Sequence, residues 1–253
     1  MPSTAEIFSV DTVSIRPAEE AFRSGSLVMP TAPDGVFVPP APQWADSPVN
    51  GIMICLAAIS MIFLLSQLVE ILPFILGGAV RSKPVSDLEA SVRHSRDRNA
   101  LFYVCVPLLA LVSSRYMLYA PAWLESFSFG ARTLLTLAVF AGYVLIREIL
   151  VAAAWNRHIS RETYFLSARC FRNFFILSVL LLVITVGVMS IFRANDLSVK
   201  YVCLAEAALV HVLFLFRRTQ ILRNSCNQFT AILYLCALEL LPTVLLVASA
   251  AFM

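Results

Sequence analysis

Charge is what this chain has least of. Only 14% of its 253 residues are Asp, Glu, Lys or Arg, against roughly a quarter in an ordinary soluble domain. A water-facing surface of this size cannot be covered with so few charges, so much of the surface faces something else. Paired cysteines are missing as well. Cys55, Cys105, Cys170, Cys203, Cys226 and Cys236 stand singly in or beside apolar runs, with no Cys-x-x-Cys and no zinc spacing. They read as small packing residues. No nucleophile elbow, Gly-rich phosphate loop, His-Glu-x-x-His or paired-aspartate motif occurs, so an enzyme has no visible catalytic constellation. Nor is there a second intramembrane histidine to pair with His211 across a haem, since His94 and His158 fall in connecting loops. No cofactor or metal is expected. The basic residues sit in short runs between apolar stretches rather than in one patch, which argues against nucleic acid as a partner.

Apolar residues are what is there: 59% of the chain, with a mean hydropathy of +0.81. They are not evenly spread. Residues 1–49 hold eight of the thirteen prolines, and six acids (Glu6, Asp11, Glu19, Glu20, Asp34 and Asp46) against Arg16 and Arg23. No helical or alternating period runs through them, so a disordered acidic tail is expected. A basic start followed by an apolar run is lacking, so the tail does not read as a signal peptide.

Residues 50–253 form the second territory, with apolar runs at about 51–76, 100–119, 132–154, 173–192, 199–216 and 229–251. Each is near or above the ~20 residues that cross ~30 Å of hydrocarbon as an α-helix. The blocks are solid rather than alternating, which excludes a β-barrel. The expected fold is therefore all-α: a polytopic bundle of six transmembrane helices behind the tail. Lysine and arginine orient it. The 1–2, 3–4 and 5–6 connections carry twelve basic residues, whereas the opposite ends carry only Arg132, Arg193 and Lys200. The positive-inside rule then puts the three basic connections in the cytoplasm and both termini outside.

Two of those connections hold further helical signals. Ser86-Asp87-Leu88-Glu89 has capping-box spacing and could start a helix running into the second span. Tyr164, Phe165 and Phe171, alternating with Arg161, Arg169 and Arg172, suit the headgroup level of a membrane.

Chemistry in such a protein should lie in polar groups that the bilayer makes costly, at roughly 2.5–3.5 kcal/mol for a charge at a span's centre. The candidates are Glu70, Arg115, Arg147, Glu148, Glu206, His211 and Glu239. Depth along the spans pairs Arg115 with Glu206, and Arg147 with Glu70 or Glu148. Such pairs would fix helix packing; a proton or substrate path is the alternative. His211 lies five residues from Glu206, about 140° around the helix, so the two do not share a face. Val69-Glu70-Ile71-Leu72-Pro73 and Leu238-Glu239-Leu240-Leu241-Pro242 repeat one pattern, a glutamate three residues before a proline that can kink its helix. Glu239 falls near mid-membrane, and its neighbours Cys236 and Thr243 should turn a polar stripe into the bundle.

The segment Phe229 to Pro242, with Tyr234-Leu235-Cys236-Ala237-Leu238-Glu239-Leu240-Leu241-Pro242, resembles the closing segment of a multi-pass membrane protein family from Bacteroidetes-type Gram-negative bacteria, catalogued as a domain of unknown function. The likeness covers residues from about 95 onward and leaves the tail and the first span outside it. It implies an inner-membrane location and supplies no activity. The expectation is thus a multi-pass inner-membrane component in contact with the lipid bilayer and other membrane or envelope proteins. It would be a non-enzymatic scaffold or accessory subunit for envelope assembly or transport. A small proton-coupled transporter and an enzyme acting on a lipid or isoprenoid are the alternatives.

Overall fold

The computed structural model describes residues 43–80, 92–153, 161–223 and 228–252. Most of the expected tail, the Ser86–Glu89 capping box and much of the three basic connections lie outside the described residues. Within them the chain is helical, with no strand, and six helices are long and apolar enough to cross a membrane. They are α1 (Pro48–Val80), α2 (Val92–Tyr116), α3 (Phe129–Ala153), α4 (Arg161–Ile191), α5 (Asp196–Arg223) and a composite sixth span. The sixth is built from α6 (Gln228–Leu235), a π-helical turn (Cys236–Leu240) and α7 (Leu241–Phe252).

The helices outrun the apolar blocks that announce them, chiefly at the basic end. α2 starts at Val92 and carries Arg93 and Arg96 into the second span, as the capping-box reading expected of a helix there, and α4 starts at Arg161 and carries Arg169 and Arg172. Order also reaches into the region expected to be tail. Trp44–Asp46 form a 3-10 turn, the Asp46 carboxylate accepts from the Gln43 backbone N–H at 2.8 Å, and the Asn50 amide donates to the Trp44 carbonyl at 2.9 Å. Pro48 then opens α1, at a position where a missing N–H costs nothing. Leaving α2 and α4, the chain turns through Met117 and Arg193, both at φ 51°. The Leu118 and Ala194 amides reach back to the carbonyls of Ser113 and Met189, the six-to-one bond that closes a helix end with a left-handed residue.

α2 is the middle of the bundle and contacts α1, α3, α4 and α5. It has the lowest hydropathy of the six spans and the largest buried share, 44% against 11% for α1. The two facts share one cause: a helix wrapped by other helices need not be lipophilic all round, so it can carry Arg98, Ser113 and Ser114 inward. Leu101, Phe102, Cys105 and Ala110 of α2 anchor the core with Ile71 and Ile75 of α1 and Phe171, Phe174 and Ile176 of α4. Cys105, Cys170 and Cys203 are buried as expected of packing residues, whereas Cys55 and Cys236 are exposed. The outward faces carry Ile62, Phe63, Ile191, Leu209, Leu213 and Leu245, an apolar exterior suited to lipid. α3 meets the start of α1 at Gly130, where a Cβ would come within 2.7 Å of Ser47 Oγ and 3.1 Å of Val49 Cβ, so any side chain there makes Ser47 and Val49 give way.

Candidate functional site

Three arginine-bearing helices and a distorted sixth span build the polar centre near the basic end. Arg147 of α3 holds the Glu239 carboxylate with two parallel bonds, Nη2 to Oε1 at 2.5 Å and Nε to Oε2 at 3.1 Å. Arg218 of α5 contacts the same carboxylate. Arginine and glutamate are 1% and 0% exposed, so this charge cluster is fully withdrawn from lipid and water. The Arg147 guanidinium also lies over the Phe171 ring at 3.6 Å, and Arg147 Nη1 stands 3.8 Å from Glu148. Glu148 in turn pairs with Arg172 of α4 at 3.1 Å, and Arg172 donates to Asn99 of α2 at 2.8 Å. One connected network thus ties α2, α3, α4, α5 and the sixth span together.

Local sequence explains how Glu239 reaches that position. Pro242 offers no N–H to the Leu238 carbonyl, which frees the turn before it from the regular four-residue bond. The Leu241 amide bonds instead to the Cys236 carbonyl, five residues back, and the extra residue makes the π turn. Thr243 bonds its hydroxyl to the Glu239 carbonyl at 2.7 Å, taking up another backbone acceptor beside the break. The turn also alters the face presented. Thr243 points inward to the Tyr143 hydroxyl at 3.2 Å, but Cys236 is exposed, so the expected polar stripe loses its first member.

The sequence candidates separate. Arg147, Glu148 and Glu239 come together, and the Arg147–Glu148 contact is among those expected. Glu70 does not join them. Half-exposed at the edge of α1, it pairs with Arg93 at 3.4 Å, and its helix runs unbroken through Pro73. Arg115 does not reach Glu206, contrary to the depth argument, and instead pairs with Asp196 at 3.2 Å. The reason is position along the bundle: Arg115 is in the last turn of α2 and Asp196 opens α5, while Glu206 lies ten residues, or ~15 Å, farther down. Glu206 and His211 each keep a buried side-chain atom, Oε2 and Nε2, without a hydrogen-bond partner among the described residues. Phe171, expected at headgroup level, is buried in the core beneath Arg147.

Arg218, Arg172 and Asn99 are the members that sequence reading left in the connections. A signal for Arg218 existed: Phe214, Arg218 and Leu222 share one helical stripe, all buried. An arginine in the seam of an apolar stripe points at a buried partner.

A second feature lies on the other side of Phe171. A cavity of about 530 Å³ runs between α4, α5 and α7, floored by Phe171, Phe174 and Phe214. Along its walls Tyr143 is satisfied by Thr243, and Tyr119 by Ser249 at 3.0 Å. Among the described residues no three His, Cys, Asp or Glu side chains converge on a metal position. No protein-family model, curated protein or solved structure matches the chain. The likeness at Phe229–Pro242 therefore rests on that string alone.

Proposed function

We propose that the chain is a multi-pass component of a bacterial inner membrane without catalytic activity of its own, a scaffold or accessory subunit for envelope assembly or transport. Both termini are periplasmic in this reading, and the basic end faces the cytoplasm. The observation that carries it is the double pairing of Glu239. A carboxylate held by Arg147 and Arg218 from two different helices is a clamp that fixes where α3, α5 and the sixth span sit. Its two partners come from different helices and it ties both to the sixth span, so the geometry of the clamp supports a packing role.

One observation favours the proton-coupled alternative: Glu239 sits in a π turn, a distortion found often at functional sites. The two readings separate in a strain lacking the native gene. Arg147→Met, Arg218→Met and Glu239→Met together remove every charge of the clamp, and the account expects the triple variant to fold and to restore the phenotype. A folded triple variant with no activity would sink the scaffold reading in favour of a titrating Glu239. Purification in mild detergent should additionally bring down a stoichiometric membrane or envelope partner.

A further inference from the structure

The cavity beside the ion network lacks what most lipid headgroups need. None of its lining residues is Asp, Glu, Lys or Arg, so a phosphate or an ammonium has no counter-charge there. Its volume of about 530 Å³ falls within the range of small-molecule sites. It exists because the sixth span changes partner at its π turn: α6 packs on α5, whereas α7 leans on α3 through Thr243–Tyr143 and on the α2–α3 connection through Ser249–Tyr119. α5 and α7 therefore diverge, and the gap between them is rimmed by Leu204, Ala208 and Val247, all exposed on the apolar exterior. The opening faces the bilayer, so an occupant enters from lipid.

Two polar groups inside face an occupant. His211 of α5 leaves Nε2 buried without a hydrogen-bond partner among the described residues, and Ser178 of α4 lines the same cavity. Their levels match. Phe174 and Phe214 face each other at 5.8 Å, Ser178 lies four residues beyond Phe174, and His211 three residues before Phe214 on the antiparallel helix. Both groups therefore stand about one turn, ~5 Å, above the same aromatic floor. The buried His211 Nε2 without a partner costs stability, and a ligand acceptor within its reach would remove that cost while also accepting from Ser178.

The geometry points to a binding site for an isoprenoid quinone. The head is neutral, as the uncharged lining requires. Its ring is planar and stacks or edges against Phe171, Phe174 and Phe214. Its carbonyl oxygens accept from the Ser178 hydroxyl and the His211 N–H, and its tail leaves between Leu204 and Val247 into the bilayer. The proposal is one of binding and does not depend on the scaffold reading above.

The test uses the full chain in phosphatidylcholine nanodiscs and a radiolabelled quinone carrying a decyl tail, with decanol as competitor. Expected is saturable binding near one per chain that decanol does not displace at equal concentration. His211→Leu should weaken it roughly three- to tenfold, the worth of one hydrogen bond. Ala207→Phe, or Ala208→Phe if the first does not fold, fills the cavity and should abolish it. Non-saturable uptake equal in wild type and the filled variant would overturn the proposal. So would displacement by decanol, which would reduce the site to a slot for any alkyl chain.

Discussion

Arg147 and Glu239 are ninety-two residues apart and meet through two bonds at 2.5 and 3.1 Å, with both side chains withdrawn from solvent. Taking an ionised pair out of water costs several kcal/mol per ion before their attraction repays it, so the contact is sensitive to loss of either partner. Arg218 on the same carboxylate raises the stakes. Glutamine at 239 keeps the size and one acceptor but strands two cations against a neutral amide. Both Glu239→Gln and Glu239→Leu should therefore lower stability in detergent, the latter more, by about 3–5 kcal/mol. Thermal melting of the two variants checks this. A silent Glu239→Gln would mean that the amide serves as well as the charge.

Arg115 and Asp196 give the opposite case. Their side chains are 43% and 61% exposed, at the end of α2 and the start of α5. Exposed pairs contribute about 0.2–1 kcal/mol, and salt screens them. A double-mutant cycle on Arg115→Leu and Asp196→Ala should give a coupling in that range that shrinks at high salt. The corresponding cycle with Glu206→Leu should be additive, because Glu206 lies out of Arg115's reach.

Gly130 tests the packing of α1 on α3. Any side chain there drives Cβ into Ser47 and Val49. Gly130→Val should cost about 1–3 kcal/mol as an overpacked contact. At Gly142 an added methyl group would meet nothing within 4 Å, so alanine should be accepted there without loss. Equal melting temperatures for Gly130→Val and Gly142→Ala would show that α1 does not approach α3 so closely.

Much of the fold was legible because the bilayer enforces it. Apolar length alone marks six spans, and each observed helix contains nearly all of its sequence block. Helix ends at the basic end were legible only in part: the capping box pointed to a helix carrying Arg93 into the second span, whereas Arg172 looks like a loop residue by composition and lies inside α4. Depth along a span singled out Glu239 but also paired Arg115 with Glu206, which lies ~15 Å too far down. Rotation and partner choice were not legible. Glu70 and Glu239 sit in the same five-residue pattern, but one faces outward on a peripheral helix and the other inward on a π turn. Nothing within a single span tells those faces apart. The cavity above Phe214 was hidden for the same reason, since it depends on how three helices lean together.

Orientation is the next point to check. The positive-inside rule, applied to twelve basic residues at one end against three at the other, predicts that both termini lie outside. A C-terminal alkaline phosphatase fusion should be active, and a C-terminal green fluorescent protein fusion dark. Bright fluorescence would invert the assignment or remove a span.

The claim that a buried ion clamp holds the bundle is tested most directly by the Arg147/Glu239 double-mutant cycle. Unfolding free energies of Arg147→Met, Glu239→Met and the pair would be measured in one detergent. The account predicts that each single variant loses about 3–5 kcal/mol and that the double variant recovers at least ~1–3 kcal/mol of the summed loss. Strictly additive losses would contradict it, because two residues that do not feel each other cannot be the clamp.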